Sequence, residues 1–232
     1  MKQYSIIVTI IAIITLILFS ILFFYGEYHT KILVKLGLKE KATETNWAIF
    51  SWESCLNQLD YDADIVFFGD SITRGGYFQN YFKGKKIVNL GYSGDTINGM
   101  TQRINMVKNV SPEKIFLMIG INGLNNDNFE ICVKQYSTLL ETIQEAVPDS
   151  EIYLQSVLPV CGEKEKTCSN STIEKFNKEL EKLSAEYNIT YIDLFSVFSE
   201  KNEPNTKLYK DDVHINTEGY KVWAEAIRKY IE

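Results

Sequence analysis

The chain has 232 residues, 45 % of them hydrophobic, and a formal net charge of −6. That length suits one membrane or targeting element plus one ordinary domain of roughly 190 residues. The lysines after residue 160 are interleaved with glutamates and no basic patch with interleaved aromatics is present, which with the net charge argues against a nucleic-acid binder that must neutralise phosphates.

From the N-terminus, Ser5 to Tyr25 carries no charged residue and is dominated by Ile, Leu, Val and Phe. As a helix it would be about 30 Å long, enough to cross a bilayer. It ends Phe23-Phe24-Tyr25-Gly26-Glu27, with neither an Ala-x-Ala cut site nor a lipobox cysteine. An uncleaved transmembrane anchor over residues 1–25 is therefore expected. Lys31, Lys35, Lys39 and Lys41 follow beside Ile32, Leu33, Leu36 and Leu38, a pattern suited to a membrane surface. The lysine count by itself opposes an outside domain, but with only a short tail before the anchor the domain is expected to be extracytoplasmic. Residues 26–60 read as a juxtamembrane linker with a leading helix at about 43–58, and residues 61–232 as one folded domain.

Five apolar runs follow, at 64–68, 86–90, 114–119, 151–158 and 189–194. Runs of this length, apolar on both faces, suit strands buried in a parallel sheet. Helical patterns separate or follow them at about 97–109, 128–146, 171–187 and 217–231. Strand–helix alternation predicts right-handed crossovers and a three-layer α/β/α sandwich around a five-stranded parallel sheet. Of the four cysteines, Cys55 and Cys132 fall on predicted helices. Cys161 and Cys168 flank a short polar loop and are candidates for a small disulfide, the alternative being four thiols. Their spacing is not that of a zinc site.

In open α/β sheets, ligands bind beyond the carboxyl ends of the strands. Ser71, Gly91 and Asn122 all fall just after predicted strand ends. A serine hydroxyl needs a neighbouring base to become a nucleophile, and imidazole is the usual one. The chain has two histidines. His29 lies next to the apolar segment, so the base is expected to be His214. Asp211, three residues earlier, can hold the imidazole Nδ1–H, whereas Asp212 at i−2 points elsewhere. Taken alone, Gly69-Asp70-Ser71 reads equally as a helix cap, and Asp211 with His214 as an acidic cap beside an exposed histidine.

Together these residues resemble the SGNH (GDSL) hydrolase family, whose blocks contribute Ser, Gly, Asn and His. The matching blocks are Gly69-Asp70-Ser71-Ile72-Thr73, Asn89-Leu90-Gly91-Tyr92-Ser93-Gly94-Asp95-Thr96, Gly120-Ile121-Asn122 and Asp211-Asp212-Val213-His214-Ile215-Asn216. They run in order from about residue 64 to the C-terminus. Gly94-Asp95-Thr96, Leu158-Pro159-Val160 and Gly219-Tyr220 are similar to the platelet-activating factor acetylhydrolase branch. The resemblance implies a flavodoxin-like SGNH fold and a serine esterase without metal or cofactor. Its substrate would be a small acyl ester, an acetyl group on a glycan or lipid in the first instance. Ser71, His214 and Asp211 would be catalytic, and an oxyanion would meet the N–H of Ser71, the N–H of Gly91 and the side chain of Asn122. An O-acyltransferase using the same residues, or a non-catalytic binding protein, are the alternatives. The family usually has Gly-Thr-Asn-Asp in its third block; Gly123 here replaces the acid that would brace that loop.

Overall fold

The computed structural model describes residues 15, 62–201 and 203–232. Apart from residue 15, the expected anchor, the linker and the leading helix with Cys55 lie outside the described residues. Among the described residues, no helix is long and apolar enough to cross a membrane.

Five parallel strands form the sheet: β1 (Ile65–Gly69), β2 (Ile87–Gly91), β3 (Lys114–Met118), β4 (Glu151–Gln155) and β5 (Thr190–Ile192). Their order is β2-β1-β3-β4-β5. β2 is added on one side of β1 and β3 on the other, and such a switch in winding places a crevice at the carboxyl ends of β1 and β3. Between and after the strands come α1 (Ser71–Arg74), α2 (Ile97–Gln102), α3 (Asn105–Lys108), α4 (Phe129–Ala146), α5 (Asn170–Glu186), α6 (Leu194–Val197) and α7 (Thr217–Ile231).

Register explains why the central strands are apolar on both faces. Phe67, Phe116 and Tyr153 are partners across β1, β3 and β4, so they share one face of the sheet. Phe67 stacks on Phe78 with ring centroids 3.6 Å apart and on Phe116 at 5.1 Å. The edge of Trp223, from α7, closes on Phe78 at 5.1 Å, and its indole N–H reaches Gln155 Oε1 at 2.7 Å. The alternate row of Phe68, Leu90, Leu117 and Leu154, all fully buried, faces the other way. Aromatic pairs of this kind add to the burial of large rings.

Three sequence expectations change. The helix predicted at 97–109 is broken into α2 and α3, because Arg103 leaves helical geometry (φ −110°, ψ 22°) and turns its side chain inward. β4 stops at Gln155, since the apolar residues beyond it are held by a side chain instead of a strand. Val157 N–H donates to Asn177 Oδ1 at 2.8 Å, and Asn177 Nδ2 donates to Val157 O at 2.9 Å. Cys161 and Cys168 are free thiols, as is Cys132.

Phe67→Ala removes the ring between Phe78 and Phe116. Its unfolding free energy, read from urea denaturation, is expected to fall by about 3–5 kcal/mol.

Candidate active site

Ser71 opens α1 directly after β1, and the turn is tight for a steric reason. A Cβ on Gly69 would lie 2.2 Å from Thr73 Oγ1 and 2.4 Å from Met118 O, so only glycine fits there. Asp70, 2 % exposed, caps the turn by accepting the Ile72 N–H at 2.9 Å. Ser71 is left half-buried at the carboxyl edge of the sheet.

His214 reaches the same edge from a short hairpin. A bridge between Tyr209 and Ile215 closes it, and Tyr209 donates its hydroxyl to Pro159 O at 2.6 Å. Asn216 then caps α7 through the Glu218 and Gly219 N–H groups at 2.9 and 3.0 Å. His214 Nε2 lies 2.9 Å from Ser71 Oγ, although 143 residues separate them. The other ring nitrogen, Nδ1, lies 2.9 and 3.0 Å from the Asp211 oxygens. Asp211 Oδ1 also accepts the N–H groups of Val213 and His214 at 2.9 and 2.7 Å. Partial burial pushes the Asp211 pKa up, but these N–H donors and the imidazole outweigh it and hold the carboxyl below its ordinary value. Asp212 turns away: its carboxylate accepts the Glu163 N–H at 2.9 Å, and its carbonyl the Cys161 N–H at 2.8 Å.

Gly91 does something other than expected. Its N–H is taken by Asn89 Oδ1 at 2.9 Å, so it is not offered to a ligand. A Cβ there would lie 2.2 Å from Arg74 N, which makes Gly91 the contact at which α1 packs on β2. Asn89 reinforces that contact by donating to Thr73 O and Gly76 O at 2.8 and 2.7 Å. Gly94 offers an exposed amide in this loop. It sits at φ +76°, in the left-handed region that favours glycine, and among the described residues its N–H has no protein partner. The sequence signal for it is Gly94-Asp95-Thr96, which closes the second matching block three residues after Gly91.

Asn122 is exposed, and one of its two amide hydrogens donates to Asp95 O at 2.9 Å. That bond fixes the plane of the amide and leaves the second N–H free to point outward. The brace expected to be missing at Gly123 is supplied otherwise. Gly123 and Leu124 N–H donate to Gly120 O at 3.1 and 3.0 Å, and Asn128 Nδ2 bonds Gly123 O.

Beneath these loops lies an element that the sequence reading missed. Arg103, 1 % exposed, donates Nε to Asp95 at 2.6 Å, Nη1 to Leu90 O at 2.7 Å and Nη2 to Gly69 O at 2.9 Å. Burial pushes Asp95 up and Arg103 down, and their mutual attraction opposes both shifts. Burial likewise raises Asp70 from its ordinary 3.8 to about 7, against the pull of the Ile72 N–H and with the Asp95 charge adding to the rise. Arg103 sits beside the polar Gln102 and Asn105 in the predicted helix, so the sequence does not mark it for burial. Among the described residues, no group of three His, Cys, Asp or Glu side chains could hold a metal ion.

Residues 67–222, more than half of the chain, match the model of the GDSL-like lipase/acylhydrolase family. The chain belongs to that family. A multidomain esterase from Ruminococcus flavefaciens is 27 % identical over 164 residues, which are 61 % of this chain and 21 % of that protein. The chain thus spans about a fifth of that relative's length. A Streptococcus pneumonia structure, provisionally described as a platelet activating factor, superposes with a TM-score of 0.74 at 21 % identity. That match covers 89 % of this chain and 99 % of the other. The acetyl xylan esterase AlAXEase gives a TM-score of 0.61 at 23 % identity, covering 72 % of this chain and 99 % of its own. At these identities the structural likeness is one of fold.

Arg103→Met leaves Asp95 buried and uncompensated, and urea denaturation is expected to show a loss of about 3–5 kcal/mol. Asp70→Asn keeps a good helix cap but cannot titrate. Between about pH 4 and pH 7 the folded wild type holds a proton on Asp70 that the unfolded chain has released, so this group's stabilisation is lost as pH rises. The urea midpoint of Asp70→Asn is expected to fall less steeply over that interval than the wild-type midpoint.

Proposed function

From that membership and this geometry we propose that the chain is a serine esterase that hydrolyses small acyl esters, acetyl esters of a glycan foremost. The observation that carries the reading is the line Ser71 Oγ, His214 Nε2, His214 Nδ1 and Asp211, each link at hydrogen-bond distance. His214 would take the Ser71 proton as Oγ attacks the ester carbonyl, then return it to the leaving alcohol. Water would attack the acyl-serine by the same route in reverse. Asp211 keeps Nδ1–H on its own side, so that Nε2 is the free base toward serine. Developing negative charge on the carbonyl oxygen would meet the Ser71 N–H, the Gly94 N–H and the outward N–H of Asn122. Gly94 replaces Gly91 in this role because the Gly91 amide is already bonded.

The preference for acetylated glycans is supported by the acetyl xylan esterase that shares the fold, while the multidomain esterase supports ester hydrolysis alone. A lipid ester is the other substrate class that the sequence resemblance suggests. With residues 1–25 as a transmembrane anchor and the domain on its extracytoplasmic side, the domain would meet its substrate at the cell surface.

Ser71→Ala and His214→Ala are expected to lower kcat on 4-nitrophenyl acetate by several orders of magnitude, whereas Asn122→Ala costs about 10²–10³. Wild type labels with a fluorophosphonate and Ser71→Ala does not. Near-wild-type turnover by purified Ser71→Ala would remove serine as nucleophile.

A further inference from the structure

The chain has three arginines. Arg103 is buried against Asp95, and Arg228 is paired with Glu225 and Glu232. Arg74 differs from both: no carboxylate of the described residues lies within ion-pair distance of it. Its one side-chain bond is neutral, from Nη1 to Ser93 Oγ at 3.2 Å. Lys166, Lys178, Lys182 and Lys221 each have a glutamate partner three or four residues away, whereas other exposed lysines, Lys83 and Lys207 among them, have no acid within ion-pair distance among the described residues. Arg74 is thus set apart from the other two arginines by its missing acid, and from the unpaired lysines by its place beside Ser71.

Its position gives the missing acid a meaning. Arg74 stands three residues after Ser71 on the single turn of α1, so the two side chains leave neighbouring points of one helical face. The backbone of Arg74 is pinned, because Gly91 packs directly against its N and Cα. The guanidinium is drawn toward Ser93, the residue before Gly94. It therefore spans the rim between the turn that carries the nucleophile and the turn that presents the free Gly94 N–H. A guanidinium has five N–H donors in a planar fork that matches the two oxygens of a carboxylate or phosphate.

We propose that Arg74 is a specificity residue that binds an anionic group, carboxylate or phosphate, on the alcohol part of the ester next to the acyl group being removed. The proposal rests on the esterase reading and narrows it from acyl esters in general to esters of acidic glycans or of phosphate-bearing alcohols. Four of the five N–H donors of the guanidinium remain after the Ser93 bond, enough for a bidentate contact that fixes which hydroxyl's acyl group faces Ser71.

The test compares three acetyl esters: an O-acetylated uronic-acid oligosaccharide, its neutral-sugar counterpart and acetyl glycerol phosphate. For wild type, kcat/KM on at least one anionic ester should exceed that on the neutral ester by about tenfold or more, as a charge-assisted contact provides. The favoured anionic ester identifies the source, sugar acid or phosphate. In Arg74→Gln the ratio should collapse toward one, chiefly through KM. Arg74→Lys should recover only part of it, since an ammonium lacks the planar fork. A wild-type ratio near one, or an Arg74→Gln variant that loses neutral and anionic turnover by the same factor, overturns the proposal. Fluorophosphonate labelling and 4-nitrophenyl acetate turnover on the same preparation keep the two readings apart. If both are present while the ratio is flat, only the role of Arg74 fails; if both are absent, the esterase reading fails.

Discussion

A buried guanidinium needs an acceptor at each of its three nitrogens to stay charged out of water. Arg103 meets that demand by drawing three acceptors to one point: the Asp95 carboxylate and the carbonyls of Leu90 and Gly69. Those carbonyls end β2 and β1, one step before the turns that carry the site. Gly69 O also accepts the Tyr92 N–H at 2.9 Å, so the start of the β2 loop hangs from the same knot. The ring of Phe68 lies under the guanidinium, 4.4 Å from its carbon, and closes the apolar side.

Asp95 extends the constraint from two strands to three. Its side chain is committed to Arg103, while its backbone carbonyl holds the Asn122 amide of the β3 loop. One residue therefore sets both the β2 turn and the orientation of the exposed amide beside it. This explains how the β3 loop tolerates glycine at position 123: the acid absent there is offset by bonds from Asp95 and Asn128. The hairpin bearing Asp211 and His214 is fixed separately, by the Tyr209–Ile215 bridge and the Asn216 cap. The site is thus assembled from two independently braced halves that meet at the Ser71–His214 hydrogen bond.

Much of this was legible in the chain because it is local. The five apolar runs have the length and two-sided composition of buried parallel strands. Gly69-Asp70-Ser71 has a steric and capping logic within five residues, and Asp211 reaches His214 within one turn. The choice of Asp211 over Asp212 also follows from spacing, since only i−3 brings the carboxylate beside the ring. The break at Arg103 was not legible. Helical periodicity sees a charge on a stripe, and only the carbonyls of β1 and β2 explain why that charge turns inward. The end of β4 was hidden for a similar reason, as Asn177 satisfies the backbone of the residues beyond it from twenty residues away.

The sequence by itself determined the class of fold and singled out Ser71, His214 and Asp211, which the structure brings within hydrogen-bond distance of one another. These depend on periodicity, on residue chemistry and on the scarcity of histidine. Which glycine of the β2 turn presents a free amide was decided only in three dimensions. Gly91 and Gly94 are equally glycine on paper, but one has its N–H taken by Asn89 and its α-carbon against α1, while the other stands open at φ +76°. A hydrogen-bond donor's availability depends on what lies around it, and that environment exists only once strands distant in sequence have been brought side by side.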